Sequence, residues 1–250
     1  MYKKSKVKFH QKNNQIKEQS SKMVVDILFE LFNPKSVVDV GCGTGLILKY
    51  FNEKDVDILG YEGEWINKNL IESNISFSKL KIIDFENIDL ENLVQFDLCV
   101  CLEVAEHISE NQADNFVKFL ISQSKIIVFS AAIPNQGGFN HINEQWSDYW
   151  DKKFDTLGYS KMDILRPILW DFDFVTWPYK QNMVVYVHKT DVSLLDKLDK
   201  MPINALKNPI HFESYINKTN KYLRVINYKE STFFYFKLLI KKIINNFKTR

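Results

Sequence analysis

Glu103-Val-Ala-Glu106-His107 sets two carboxylates and an imidazole within one short stretch, and a further imidazole, His141, stands in a polar loop downstream. On a helix, positions i, i+3 and i+4 share a face, so Glu103, Glu106 and His107 would converge. Oxygen and imidazole donors suit Mg²⁺, Mn²⁺ or a related divalent ion, and no thiol in the group demands zinc. Such an ion would lower the pKa of a coordinated hydroxyl and hold it as a nucleophile. Without an ion, the glutamate or histidine caps the helix, or His107 or His141 takes a proton as general base. Both readings stay open on residue types alone. The candidate catalytic residues are Glu106, His107 and His141, and the candidate metal ligands add Glu103.

A second constellation comes earlier. Ser36-Val-Val-Asp-Val40 is a short β-branched run that ends in Gly41-Cys-Gly-Thr-Gly45, with helix-compatible sequence after it. Glycine lacks a Cβ, so a strand–turn–helix of this kind lets a ligand approach backbone N–H groups closely. The dinucleotide fingerprint is G-x-G-x-x-G, whereas these glycines give G-x-G-x-G. Asp39 at the strand end suits a ligand with an ammonium group and repels a pyrophosphate. The pair of features favours S-adenosylmethionine over NAD. Glu62, at the end of the next strand, is placed to accept from both ribose hydroxyls of either cofactor. Asp84 offers an acceptor for an adenine amino group, with Phe85 as an aromatic face beside it.

These residues need elements to hold them. Strands at Val56–Tyr61, Leu80–Ile83, Phe96–Cys101 and Lys125–Ser130 alternate with helices at Met23–Phe32, Glu64–Glu72 and Ala105–Ile121. This is the βαβα rhythm of an α/β, Rossmann-like, doubly wound and mostly parallel sheet, whose carboxyl edge is the place for ligands. A helix is expected over Asn143–Leu157. Strands at Tyr159–Leu165 and Asn182–His188 would form an antiparallel pair at one edge and complete seven strands. A helical extension follows over 191–250. Its last segment, Ser231–Arg250, is a basic amphipathic helix that would dock on the domain, on a second subunit, or on an anionic membrane surface.

Val-Val-Asp-Val-Gly-Cys-Gly-Thr-Gly closely resembles the first motif of class I S-adenosylmethionine-dependent methyltransferases, and Glu62, Asp84 and the following strand occur in that family's order. The resemblance covers about residues 20–190. It implies a methyl-donor site built from Asp39, Gly41, Cys42, Gly43, Gly45, Glu62, Gly63, Asp84, Phe85 and Leu102. Glu-x-x-Glu-His resembles the ubiquinone-pathway O-methyltransferases and the small-RNA 3′-terminal 2′-O-methyltransferases, in which such residues bind a divalent cation with a downstream histidine. Here that histidine is His141. Ala132-Ile-Pro-Asn-Gln-Gly-Gly and His141-Ile-Asn-Glu-Gln-Trp146 resemble a bacterial methyltransferase subgroup found with capsule and surface-polysaccharide genes. Leu165-Arg-Pro-x-x-Trp170 and Trp177-x-Tyr-x-Gln-Asn182 share that resemblance. Asn143, Glu144, Gln145 and Trp146 are candidate acceptor contacts, or else Asn143 caps a helix and Trp146 packs. Arg166 either binds an anionic acceptor or pairs with an acid inside the fold.

The 250 residues are 45% hydrophobic and 26% charged, which excludes wholesale disorder. The net charge of +2 divides into +6 over residues 1–22, −12 over 23–200 and +8 over 201–250. An acidic middle disfavours a long polyanion across the core. Three cysteines at no framework spacing, no secretory leader pattern and no membrane-length apolar run lead to an expected cytoplasmic location. The expected function is therefore methyl transfer from S-adenosylmethionine to an oxygen of a small, polar, anionic acceptor in surface-glycan synthesis, with Mg²⁺ or Mn²⁺ as a candidate cofactor. The alternatives are methylation of an RNA 3′ end and a non-catalytic S-adenosylmethionine-binding partner subunit.

Overall fold

The computed structural model describes residues 14–66, 68–90, 94–201, 210–226 and 232. The chain divides into two units, Met1–Pro209 and Ile210–Arg250. The first begins with α1 (Asn14–Phe32), which Asn33 ends in a left-handed turn just before Pro34. Then follow β1 (Ser36–Val40), α2 (Leu46–Asn52), β2 (Asp57–Glu62), α3 (Lys68–Glu72), β3 (Leu80–Ile82), β4 (Leu98–Leu102), α4 (Ala113–Gln123) and β5 (Ile126–Ser130). The unit closes with α5 (Ser147–Thr156), β6 (Tyr159–Met162), α6 (Leu165–Leu169), α7 (Trp177–Asn182), β7 (Val184–His188) and α8 (Val192–Asp199). In the second unit, α9 spans Phe212–Ile226. The amphipathic segment expected over Ser231–Arg250 lies outside the described residues, apart from Thr232. No helix among the described residues is long and apolar enough to cross a membrane.

The seven strands run in the order β3-β2-β1-β4-β5-β7-β6. β1 to β5 pair in parallel, and β7 is antiparallel to both β5 and β6. Alternating residues serve two cores, as the period of a strand buried on both faces requires. Val37, Leu98 and Val100 join the core built with Val24, Leu28 and Phe51, and Val38, Val40, Cys99 and Cys101 join the one built with Phe116, Leu120 and Phe154. Cys99 and Cys101 are therefore buried free thiols in apolar packing.

The strand order reverses between β1 and β4, where a doubly wound sheet opens a crevice at its carboxyl edge. Here four sequence expectations change. The helix expected over Ala105–Ile121 is broken into 3₁₀ turns at Ala105–His107 and Glu110–Gln112 before α4 begins. Glu103 lies outside any helix, with a left-handed φ of 55°. The helix expected from Asn143 starts only at Ser147, because the amides of Ile142 and Asn143 both donate to the carbonyl of Glu106 at 2.9 and 3.1 Å. The helix expected from Glu64 is reduced to Lys68–Glu72; residues 64–65 form a turn that the Ile66 amide closes on the Gly63 carbonyl.

Candidate active site

The glycine loop folds as its spacing demands. Gly41, Gly43 and Gly45 all take positive φ, and Gly45 stands at the N-cap of α2. Glu62 at the end of β2 braces the loop: the amide of Gly43 donates to its Oε2 at 2.7 Å and that of Gly63 to its Oε1 at 2.9 Å. An ionised carboxylate accepts from more than two donors at once, so this geometry fits a vicinal diol beside the loop. Cys42 lies buried under the loop with its sulfur against Gly60, and Trp65 lays its ring over Gly63.

Asp39 is 4% exposed on β1 between Gly60 and Val100. Burial, and then the charge of Glu62, push its carboxyl up to about 8. A cationic ligand would relieve both effects, which fits an ammonium or sulfonium group. Because the fold binds this proton more tightly than the unfolded chain, stability falls as pH rises from the ordinary carboxylate range to about 8. Asp39→Asn is expected to remove that slope, so its melting temperature exceeds the wild-type value at pH 8 and matches it near pH 4. Parallel melting curves across the range would refute the burden on Asp39.

The adenine-side expectations fare differently. Asp84 is exposed, and its carboxylate accepts from the Glu86 amide at 3.0 Å and from Asn87 Nδ2 at 2.8 Å. Phe85 is 3% exposed, edge-on to Phe116 at 6.0 Å, so it is a core residue rather than an open aromatic face. Leu102 ends β4, opposite Ser130, half-buried at the crevice.

Past β4 the acids separate into two roles. Glu103 is held by amides: Gln136 Nε2 donates to Oε2 at 2.8 Å and Asn182 Nδ2 to Oε1 at 3.1 Å. Gln136 Oε1 in turn accepts from Asn182 at 2.9 Å and from Gln181 at 3.1 Å. Burial raises the Glu103 carboxyl, while these bonds and the His141 imidazole oppose the rise. Glu106 has no such support. Its side chain is buried, and neither carboxylate oxygen makes a hydrogen bond. Burial and then Glu103 push its carboxyl well above the usual range, and the amides of Glu106 and Ala132, near the carboxylate without completing a hydrogen bond, offset this only in part.

Facing Glu106 are two imidazoles. His141 Nε2 stands 3.8 Å from Glu106 Oε1, and the rings of His107 and His141 meet edge-on at 5.0 Å. One ligand atom each from Glu106, His107 and His141 lie within 4.8 Å of one another, the only such trio among the described residues. Glu103 stands beside this cluster rather than in it, which corrects the four-ligand expectation. Each outer ring nitrogen meets an oxygen acceptor: His141 Nδ1 donates to Glu144 Oε1 at 2.9 Å, and His107 Nδ1 to the Asn140 carbonyl at 3.1 Å. In the neutral rings these bonds place the proton on Nδ1 and leave Nε2 with its lone pair, the tautomer a metal ligand or a base requires. The cluster abuts the glycine loop, since a Cβ on Gly41 would lie 2.4 Å from Val104.

The expected acceptor contacts are redistributed. Glu144 closes the loop on itself, accepting from the amides of Asn135 and Gly137 at 2.7 and 2.8 Å as well as from His141. Buried Asn143 accepts from Gln145 at 2.9 Å, and Trp146 is 42% exposed ahead of α5 rather than packed. Arg166 is buried in a bidentate pair with Asp163, its Nε donating to Oδ1 at 2.7 Å, so its charge is already balanced. The anionic acceptor inferred from Arg166 thus has no spare cation to hold it.

Sequence reasoning named none of Gln136, Gln181 and Asn182 as a site residue, although all three lie in segments it singled out; amides betray a site only once their partners are known. Tyr179 was also missed. It is half-buried on α7, and burial, then Asp39, Glu103 and Glu106, raise its hydroxyl pKa.

Residues 12–176 match the methyltransferase domain family. A protein of Invertebrate iridescent virus 6 named as a methyltransferase is 24% identical over 215 residues, covering 78% of each chain. The ubiquinone biosynthesis O-methyltransferase of Rickettsia bellii is 34% identical over 96 residues, 36% of this chain and 37% of its own length. Among solved structures, the amino pentose methyltransferase of calicheamicin biosynthesis from Micromonospora echinaspora gives a TM-score of 0.55 at 14% identity, covering 73% of this chain and 95% of that one. The sugar N-methyltransferase of a Streptoalloteichus species gives 0.55 at 13%, covering 73% and 92%.

Proposed function

The chain belongs to the methyltransferase domain family and is an S-adenosylmethionine-dependent enzyme, and from that premise we propose that it methylates a hydroxyl oxygen of a small polar acceptor in surface-polysaccharide synthesis. The observation that carries the reading is Glu106: a buried carboxylate that completes no hydrogen bond, set against two imidazoles beside the glycine loop. Such a group costs several kcal/mol of desolvation and is retained where a ligand or proton meets it.

When bound, S-adenosylmethionine supplies an electrophilic methyl group on a cationic sulfur. Asp39 and Glu62 would hold the donor, the first by charge and the second at the ribose. Glu106, His107 and His141 would hold a divalent cation, a donor set suited to Mg²⁺ or Mn²⁺, whose chemistry is to acidify a coordinated hydroxyl. In a metal-free site the same Nε2 lone pairs accept the hydroxyl proton. Glu144 and the Asn140 carbonyl keep both rings in the tautomer that either role needs. The resemblance of residues 132–146 to the surface-polysaccharide subgroup supports the pathway, and the sugar methyltransferases that share the fold support a sugar-like acceptor.

The test is mass-spectrometric detection of methyl transfer into nucleotide sugars, sugar phosphates, phosphoramidates, neutral sugars and short RNAs, with Mn²⁺ or EDTA present. A methylated small acceptor, lost on adding EDTA, is the expected result. Methylation that survives EDTA keeps the enzyme and makes a histidine the base. Methylation of RNA alone overturns the acceptor assignment. S-Adenosylhomocysteine is expected to bind and NADH not to bind; the reverse would overturn the donor assignment.

A further inference from the structure

Between β5, β7 and the helices α5 to α7 lies a narrow cleft with space for little more than a water molecule. Trp150 forms part of its wall, is 2% exposed, and its indole N–H is buried without a hydrogen-bond partner. An orphaned donor of this kind is rare in a folded interior and calls for a ligand or water. Gln145, Gln181 and Asn182 form another part of the wall, and Asn182 also holds Glu103. The cleft is therefore one hydrogen bond from Glu103, which stands beside the Glu106 cluster. Its only charged lining residue, Arg166, is balanced by Asp163.

We propose that this cleft anchors the acceptor by one uncharged oxygen substituent, a hydroxyl or an amide carbonyl, which receives the Trp150 indole N–H. The acceptor is then a neutral sugar rather than a phosphate or a uronate. An aromatic wall of Trp150 and Tyr186 facing amide side chains is the mixed surface that such a molecule presents in reverse, apolar C–H bonds on one side and hydroxyls on the other. An anion gains nothing from a paired arginine, and no other charged residue lines the cleft. The cleft is sized for a substituent, so the sugar ring stays outside it and its reacting hydroxyl is left to the Glu106 cluster. This assignment rests on the methyltransferase reading and narrows its acceptor.

The experiment follows the Trp150 indole N–H resonance by NMR in the full chain saturated with S-adenosylhomocysteine. The probes are glucose, N-acetylglucosamine and glucuronate. The neutral probes are expected to shift that resonance, N-acetylglucosamine or glucose binding about tenfold more tightly than glucuronate. Trp150→Phe should weaken the neutral probe about tenfold and leave S-adenosylhomocysteine affinity unchanged. Should the variant not fold, the wild-type titration decides alone. An unmoved Trp150 resonance with all three probes, or tighter binding of glucuronate, overturns the proposal. If S-adenosylhomocysteine itself fails to bind, it is the donor assignment that falls.

Discussion

Replacing Glu106 by glutamine is expected to lower turnover by about two to four orders of magnitude, the range for loss of a positioned acid–base group or metal ligand. The amide keeps the shape of the side chain and removes its charge. Glu106 is buried with both oxygens unpartnered, and Glu103 adds like-charge repulsion. The same substitution should therefore leave the melting temperature unchanged or raise it, because the folded chain no longer holds an uncompensated carboxylate. Loss of activity together with gained stability marks a group kept for chemistry. S-Adenosylhomocysteine affinity should hold, since Asp39 and Glu62 are untouched. Turnover within threefold of wild type, measured on the acceptor found by mass spectrometry, would remove Glu106 from the mechanism.

Gly138→Ala should be nearly as damaging, and for a steric reason. A Cβ at Gly138 would lie 2.0 Å from His141 Nε2 and 2.2 Å from its Cε1, so the ring has to move. Displacement of a reacting group by about 1 Å costs up to a hundredfold in rate, and a loss of tenfold to a hundredfold is expected. Gly138 is exposed in its loop, so the melting temperature should change little. Gly137→Ala supplies the contrast. Nothing lies within 4 Å of a Cβ there, but its φ is +75°, so the substitution strains the backbone by about 1 kcal/mol without touching the imidazole. Equal activity of the two alanine variants would separate His141 from catalysis.

The doubly wound sheet and the donor loop were legible in the chain because both are local in origin. β-Branched runs at Ser36–Val40 and Ile126–Ser130 can only be buried strands, and glycines at 41, 43 and 45 allow the positive φ of a strand-to-helix turn. The Glu103–His107 face was misread for the same reason. Helical spacing is a local rule, and here the left-handed Glu103 and a 3₁₀ turn override it. Convergence of Glu106 with His141 survives that error because the backbone of 142–143 bonds to the Glu106 carbonyl, which draws the loop onto the turn.

The sequence by itself determined a Rossmann-like methyltransferase fold, the glycine loop with Asp39 and Glu62 that is the candidate donor site, and the set of acids and histidines available for chemistry. Tertiary structure alone decided which members of that set are committed elsewhere. Asn182 and Gln136 take Glu103, Asp163 takes Arg166, and Glu144 takes His141 Nδ1, while the oxygens of Glu106, Asn143 Nδ2 and Trp150 Nε1 are among the buried groups left without a hydrogen bond. The reason is physical. Backbone conformation and burial follow from neighbouring residues, but a polar side chain acts according to what balances it, and in the case of Glu103 the balancing groups arrive from α7 and the loop after β5.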